Sequence, residues 1–219
     1  RPVKIAGSHA GVSVGPDGGT HQAVEDIAIM RVIPKMTVIV PCDSIEAKKA
    51  TIAAAKTDTP VYIRLAREKT PIVTTEETPF EIGKAQVFFE PKVDIKKQVG
   101  IIACGSMVYN AIMAAKELEE EGIMASVLNL STIKPLDGEG VMIFAKKHEA
   151  IVTVEEHQIV GGMGSAVSEF LSQNHPMPIE FVGVRDKFGQ SGTPEELIEH
   201  YGMGVSHIKE AVKKAVSKI

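Results

Sequence analysis

Two histidines and an aspartate lie on one glycine-rich stretch near the start of the chain, where Ser8-His9-Ala10-Gly11 runs through Gly15-Pro16-Asp17-Gly18-Gly19 to Thr20-His21-Gln22. Imidazole and carboxylate groups bind hydroxyls and move protons near neutral pH. Glycine lets the backbone turn through positive φ and lets a ligand approach the main chain, and aspartate is stable in such turns. Each feature alone is common in surface turns; their concentration in one loop marks a polar site. Behind the loop, the apolar run Ile27-Ala28-Ile29-Met30 predicts a helix over residues 22–31, with Thr20 as its N-cap and Glu25 and Asp26 in its early turns. His21 would then sit at a helix start, where the dipole keeps the ring neutral.

Arg64 and Arg67 flank Leu65 at the end of an expected strand, and parallel sheets bind ligands outside the carboxyl ends of their strands. A guanidinium suits phosphate and carboxylate alike, so anion binding and a surface ion pair both remain open for the two arginines. Gly161-Gly162-Met163-Gly164-Ser165 forms a strand-to-helix turn without the spacing or the lysine of a phosphate loop, which favours close helix–sheet packing. Glu155, Glu156 and His157 are adjacent at a strand end and point to alternate faces, so surface hydrogen bonding is expected of them and no shared metal or acid–base site. Cys42 and Cys104 have no redox or ligand spacing and read as small core residues, with a disulfide the lesser alternative.

These groups need a scaffold. The chain has 219 residues, 44% hydrophobic and 24% charged, enough for one large or two small domains with real cores. Its net charge of −4, with no basic field, argues against nucleic acid and anionic membranes as partners. No apolar run approaches the ~20 residues of a membrane span, and Arg1-Pro2-Val3-Lys4-Ile5 lacks the order of a signal peptide, so a cytoplasmic location is expected.

β-Branched runs alternate with helical patterns, which predicts an α/β fold with mostly parallel sheet. Strands are expected over 3–6, 37–40, 61–65, 80–89, 99–103, 125–130, 150–155 and 179–182. Helices are expected over 22–31, 44–56, 106–121, 138–147, 164–173 and 205–218. The threonine- and proline-containing stretch 68–78 predicts a linker and 91–97 a charged turn, dividing the chain into 1–75, a linker and entry strand over 76–97, and 98–219. The first unit holds about three strands and two helices, too few to cover both faces of a parallel sheet. Completion by another chain or by an upstream segment is expected.

The chain resembles the C-terminal half of a transketolase, and within that family the split form whose thiamine-diphosphate-binding subunits are encoded separately. The resemblance covers nearly all residues. It is carried by the histidine loop, Arg31-Val32-Ile33-Pro34, Pro41-Cys42-Asp43, Arg64-Leu65-Ala66-Arg67, Thr132-Ile133-Lys134-Pro135-Leu136-Asp137, Val154-Glu155-Glu156-His157, Gly161-Gly162-Met163-Gly164-Ser165-Ala166-Val167 and Phe188-Gly189-Gln190-Ser191-Gly192. It implies a partial pyrimidine-binding domain with a mostly parallel sheet, followed by a three-layer α/β C-terminal domain. It also implies transfer of a two-carbon ketol unit from a ketose phosphate to an aldose phosphate, with thiamine diphosphate supplying the carbanion chemistry.

Residue by residue, His9 matches the histidine that contacts the sugar phosphate, and Arg67 the arginine that clamps the same phosphate. Asp17 matches the acid that reads donor hydroxyls, and His21 the histidine near the C1 hydroxyl and reacting carbonyl, which makes it the catalytic candidate. Pro16 and Gly19 depart from the acidic residue and the proline usual at those places. The glutamate that activates the thiamine pyrimidine and the motif that binds diphosphate and Mg²⁺ have no counterpart here. The resemblance therefore implies an N-terminal transketolase subunit as partner, which supplies the diphosphate and metal ligands in a homo- or hetero-oligomer, and a truncated chain that is inactive alone. No cofactor-binding residue and no metal ligand is assigned within it. Deoxyxylulose phosphate synthases and the β subunits of 2-oxoacid dehydrogenases share the architecture, and a non-catalytic assembly role is the reading from a different class.

Overall fold

The computed structural model describes residues 1–92 and 98–219. In the first half, Lys4–Gly7 form β1, Asp26–Val32 α1, Thr37–Ile39 β2, Ser44–Ala55 α2 and Val61–Arg64 β3. β3 lies between β1 and β2 and runs parallel to both, with Tyr62 level with Ile5 on one side and Val38 on the other. Ile39, Val61 and Ile63 are buried against Ala50 and Ala54 of α2, where the small side chains let helix and sheet approach closely.

The start of α2 explains why the stretch 68–78 is not a free tether. The helix is capped by Asp43, whose carboxylate accepts the Glu46 N–H at 2.8 Å. The same carboxylate accepts the Val73 N–H at 2.9 Å and the Thr74 N–H at 2.7 Å, together with the Thr74 hydroxyl. One buried anion thus caps a helix and straps the connecting segment to it.

In the second half, the elements are β4 (Gln86–Phe89), β5 (Gln98–Ala103), α3 (Met107–Glu120), β6 (Met124–Asn129), β7 (Thr132–Lys134), α4 (Gly138–Ala145), β8 (Ala150–Gln158), α5 (Met163–Asn174), β9 (Ile179–Val184), α6 (Pro194–His200) and α7 (Val205–Val216). The strand expected over 80–89 shrinks to β4 because the chain first makes a turn closed by the Lys84 N–H on the Glu81 carbonyl. The turn expected over 91–97 falls mostly on residues 93–97, outside those described. The larger sheet has the order β4-β6-β5-β8-β9 and is parallel except for β4 on β6. Alternate residues of β5 serve its two faces. Ile101 joins the core under α3 and α7, whereas Ile102 joins the core under α4 and α5.

α6 went unread despite a legible signal, since Thr193 and Glu196 form a reciprocal capping box with Pro194 at the first helical position. β7 gave no such signal, being three residues long and followed closely by a proline. It leaves β6 through Leu130 and Ser131, crosses to the other sheet and pairs antiparallel with β2, giving the order β1-β3-β2-β7. The fourth strand of the first sheet thus comes from the chain's own second half, a pairing the strand pattern did not predict. Ile133 is buried among Val38, Val40, Tyr62 and Leu130, so the two sheets share one core.

Both cysteines are buried, free thiols. Burial, with Glu46 beside it, pushes the Cys42 thiol far up, away from the thiolate form.

If β7 joins the halves, Ile133→Ala should cost about 2–5 kcal/mol, as large-to-small core substitutions do. Urea unfolding measures this, and a loss below about 1 kcal/mol would show that β7 is peripheral.

Candidate functional site

The histidine loop is closed at its neck by one antiparallel bridge, in which the Gly11 N–H donates to the Ala23 carbonyl at 2.7 Å. That bridge and the bond from the Gln158 N–H to the Val24 carbonyl, also 2.7 Å, keep Ala23 and Val24 out of the helix that follows. α1 therefore begins at Asp26, not at residue 22, and Thr20 is not its cap. The Thr20 hydroxyl lies 3.0 Å from His21 Nδ1 instead. His21 ends a short 3₁₀ turn, Gly19–His21, well before α1, so the helix dipole does not govern its ring.

Inside the neck the loop is held from both halves of the chain. Gln22 Nε2 donates to the Val12 and Gln190 carbonyls, both at 2.9 Å. Arg67 Nη1 donates to the Val14 carbonyl at 2.6 Å, and Glu156 Oε1 accepts the Ser13 N–H at 2.7 Å. Gly19 lies flat on the segment around Gly189, where a Cβ would come within 2.7 Å of a backbone oxygen, so this position requires glycine.

Of the four residues singled out from the sequence, the fold pairs two directly, since Arg67 Nε lies 3.5 Å from Asp17 Oδ2. Arg67 Nη1 is also 3.5 Å from Glu68, while Nη2 makes no hydrogen bond among the described residues. His9 and His21 are exposed on the same loop, and among the described residues each ring meets the hydroxyl of the residue before it, Ser8 or Thr20. His9 has φ of +64°, the left-handed region that non-glycine residues rarely occupy and that clusters at functional sites. A cavity of about 470 Å³ opens behind the loop at the carboxyl ends of β2 and β3, bordered by Ala10, Arg64, Ser106 and Glu156. None of the four residues lines it, so their chemistry belongs to the outer side of the loop.

The other arginine settles as a structural ion pair. Arg64 is buried, with Nε 2.9 Å from Asp26 Oδ2 and Nη2 donating to the Ala23 and Glu156 carbonyls at 3.0 and 2.9 Å. Burial opposes the Asp26 charge, but Arg64 and the Tyr62 hydroxyl bring its carboxyl below the ordinary value.

The expectation for Glu155, Glu156 and His157 is corrected, since all three are buried within β8, which runs three residues beyond the expected strand end. Glu155 accepts the Met163 and Gly164 N–H groups at 2.6 and 2.8 Å, so the glycine turn presents its helix N-terminus to an internal carboxylate. Glu156 turns the other way, to the histidine loop. Glu155 and Glu156 were missed because consecutive polar residues ended the apolar run on which the strand prediction rested, and Gln22 and Gln190 because they meet only in the fold, 168 residues apart.

Two family models match: the transketolase pyrimidine-binding domain over residues 1–73 and the transketolase C-terminal domain over residues 90–208. The chain belongs to the transketolase family. It is 41% identical to the 6-deoxy-6-sulfo-D-fructose transketolase subunit SqwH of Clostridium sp. (strain MSTE9), over 99% of this chain and 66% of that protein. It is 36% identical to one subunit of the apulose-4-phosphate transketolase of Phocaeicola vulgatus, over 99% of this chain and 68% of that one. A split-gene transketolase solved as an inactive β4 tetramer superposes with a TM-score of 0.89 at 44% identity, covering 98% of this chain and 67% of that one. The chain thus spans about two thirds of these transketolase relatives.

Within the transketolase chain, the β8 end carries two opposed titrations. Burial pushes Glu155 up to about 7 against the pull of its two N–H donors, and burial with the nearby Arg64 charge holds His157 down at about 4. Glu155 thus contributes stability that is present below its unfolded value of 4.5 and lost as pH rises through about 7. His157 contributes stability that is present above 6.5 and lost as pH falls toward about 4. The unfolding free energy at pH 7 minus that at pH 4.5 should become more positive in Glu155→Gln and less positive in His157→Asn. Shifts of the same sign in both variants would contradict this assignment.

Proposed function

We propose that this chain is the donor-reading part of a transketolase that moves a two-carbon ketol unit from a ketose carrying a terminal anion to an aldose phosphate. The observation that carries the reading is the Asp17–Arg67 pair on the loop that also bears His9 and His21, four groups suited to one polyhydroxylated anion. Arg67, whose Nη2 makes no hydrogen bond among the described residues, and His9 bind the terminal phosphate. Asp17 accepts from a donor hydroxyl, and His21 exchanges a proton with the C1 hydroxyl or the reacting carbonyl. The relatives named for a sulfonated ketose and a sugar 4-phosphate support an anionic sugar as substrate class.

Thiamine diphosphate, bound with Mg²⁺, would supply the carbanion chemistry. Among the described residues no group of three or more His, Cys, Asp or Glu is placed to hold a metal ion. The reading therefore assigns the diphosphate and Mg²⁺ ligands to an N-terminal subunit, and the inactive β4 assembly of the split-gene relative supports the need for one. Residues 1–75 are read as the C-terminal part of the pyrimidine-binding domain, 98–219 as the C-terminal domain, and 76–97 as their connection. No helix among the described residues is long and apolar enough to cross a membrane.

The test is transfer from a ketose phosphate by the chain reconstituted with an N-terminal transketolase subunit, thiamine diphosphate and Mg²⁺. Arg67→Ala should raise KM for the phosphorylated donor about 10–100-fold through loss of a charge-assisted bond. His21→Ala should lower kcat by roughly 10²–10⁴-fold. Pyruvate should not serve as donor. Activity with pyruvate would favour a deoxyxylulose phosphate synthase, and no transfer by any reconstituted complex would leave the chain an assembly subunit.

A further inference from the structure

Glu156 belongs to the second half of the chain, yet its carboxylate is spent on the histidine loop of the first. It is 4% exposed, and both of its oxygens are taken by neutral donors, the Ser13 N–H at 2.7 Å and the Ser106 hydroxyl at 2.8 Å. The loop backbone lies directly against it, for a Cβ at Gly11 would collide with Oε1, and Gly11 has φ of +92°. The carboxylate therefore occupies the space that a side chain at Gly11 would need, and it grips the Val12–Ser13 peptide group while Arg67 holds the carbonyl of Val14, one residue further on.

We propose that Glu156 is a positioning residue for donor recognition. It fixes the segment Gly11-Val12-Ser13, and this segment sets the separation between His9 on one side and the Asp17–Arg67 pair on the other. The strand β8 thereby determines how well the loop closes on a phosphate, although Glu156 touches no substrate. Ser106 completes the arrangement by holding the second oxygen, so that the first stays aimed at Ser13. This inference rests on the reading of the loop as the donor site, and its physical core, the anchoring of Ser13, is measurable without any activity.

Two substitutions separate position from charge. Glu156→Gln keeps the length, so its amide oxygen can accept the Ser13 N–H while its nitrogen donates to the Ser106 hydroxyl. Glu156→Asp keeps the charge but is one methylene too short to reach both partners. In the chain alone, hydrogen exchange of the Ser13 amide should accelerate about ten-fold in Glu156→Asp and stay within about two-fold of the unsubstituted chain in Glu156→Gln. In the reconstituted complex, Glu156→Asp should raise KM for a ketose phosphate about ten-fold. It should leave kcat, and KM for a short unphosphorylated ketol donor, nearly unchanged, and Glu156→Gln should restore the KM for the phosphate donor.

Unchanged Ser13 exchange in Glu156→Asp would overturn the proposal. So would equal effects on both donors, or a Glu156→Gln variant as impaired as Glu156→Asp. If the unsubstituted complex transfers no ketol unit, the donor-site reading fails on its own, and the exchange measurement alone decides whether Glu156 anchors the loop.

Discussion

The buried guanidinium of Arg64 joins three parts of the chain that are far apart in sequence. Its partners are the carboxylate of Asp26 at the start of α1, the Ala23 carbonyl at the neck of the histidine loop, and the Glu156 carbonyl on the larger sheet. Removing one member of such a buried pair costs about 3–5 kcal/mol, whereas well-packed apolar replacements are often tolerated. Its value is therefore registration more than stability. With Arg64 in place, the end of β3, the loop neck and the end of β8 have one relative position, and the other contacts of the loop follow from it.

The end of β8 extends this logic through three consecutive ionisable residues with three different neighbours. Glu155 faces the N-terminus of α5, Glu156 faces the loop, and His157 Nε2 lies 3.4 Å from the Ala28 N–H of α1. Alternation serves all three, since Glu155 and His157 share a face, with His157 Nδ1 3.9 Å from Glu155 Oε2, and Glu156 takes the other. The pairing of β8 with β9 shifts register between Val154 and Gln158 along this stretch. His157 Nδ1 lies 2.7 Å from the Gln158 carbonyl, which leaves Nε2 as the acceptor for Ala28 and agrees with the neutral ring that its lowered pKa requires.

The larger sheet was legible because its strands are apolar on both faces and its helices carry regular apolar spacing, as in the core halves served by Ile101 and Ile102. The loop was legible as a concentration of reactive types. What escaped were features decided by partners distant in sequence. β7 exists because β2 has an open edge beside it, and the first turn predicted for α1 is lost because Gly11 and Gln158 claim Ala23 and Val24 for extended pairing. Glu155 and Glu156 looked like surface residues because nothing local shows that a helix terminus and a loop peptide will neutralise them. Arg64 and Arg67 were equivalent in sequence, and only the fold separates a buried tie from a group at the surface.

That separation explains how a loop rich in glycine can hold a substrate geometry at all. Glycine lowers the cost of the turns but leaves the unfolded chain with more freedom to lose, so fixed positions for His9, Asp17 and His21 must be imposed from outside the loop. The imposed contacts fall on the peptide groups of Gly11, Val12, Ser13, Val14 and Ala23, and their side-chain donors and acceptors come from Gln22, Arg64, Arg67 and Glu156. Backbone anchoring leaves the side chains of His9, Asp17 and His21 free to face solvent and a ligand, while Val12 and Val14 are buried. It also draws on both halves of the chain, since the first carries the reactive groups and the anchors Gln22, Arg64 and Arg67, and the second adds Glu156 on Ser13, the Gln158 N–H on Val24 and the Gln190 carbonyl on Gln22.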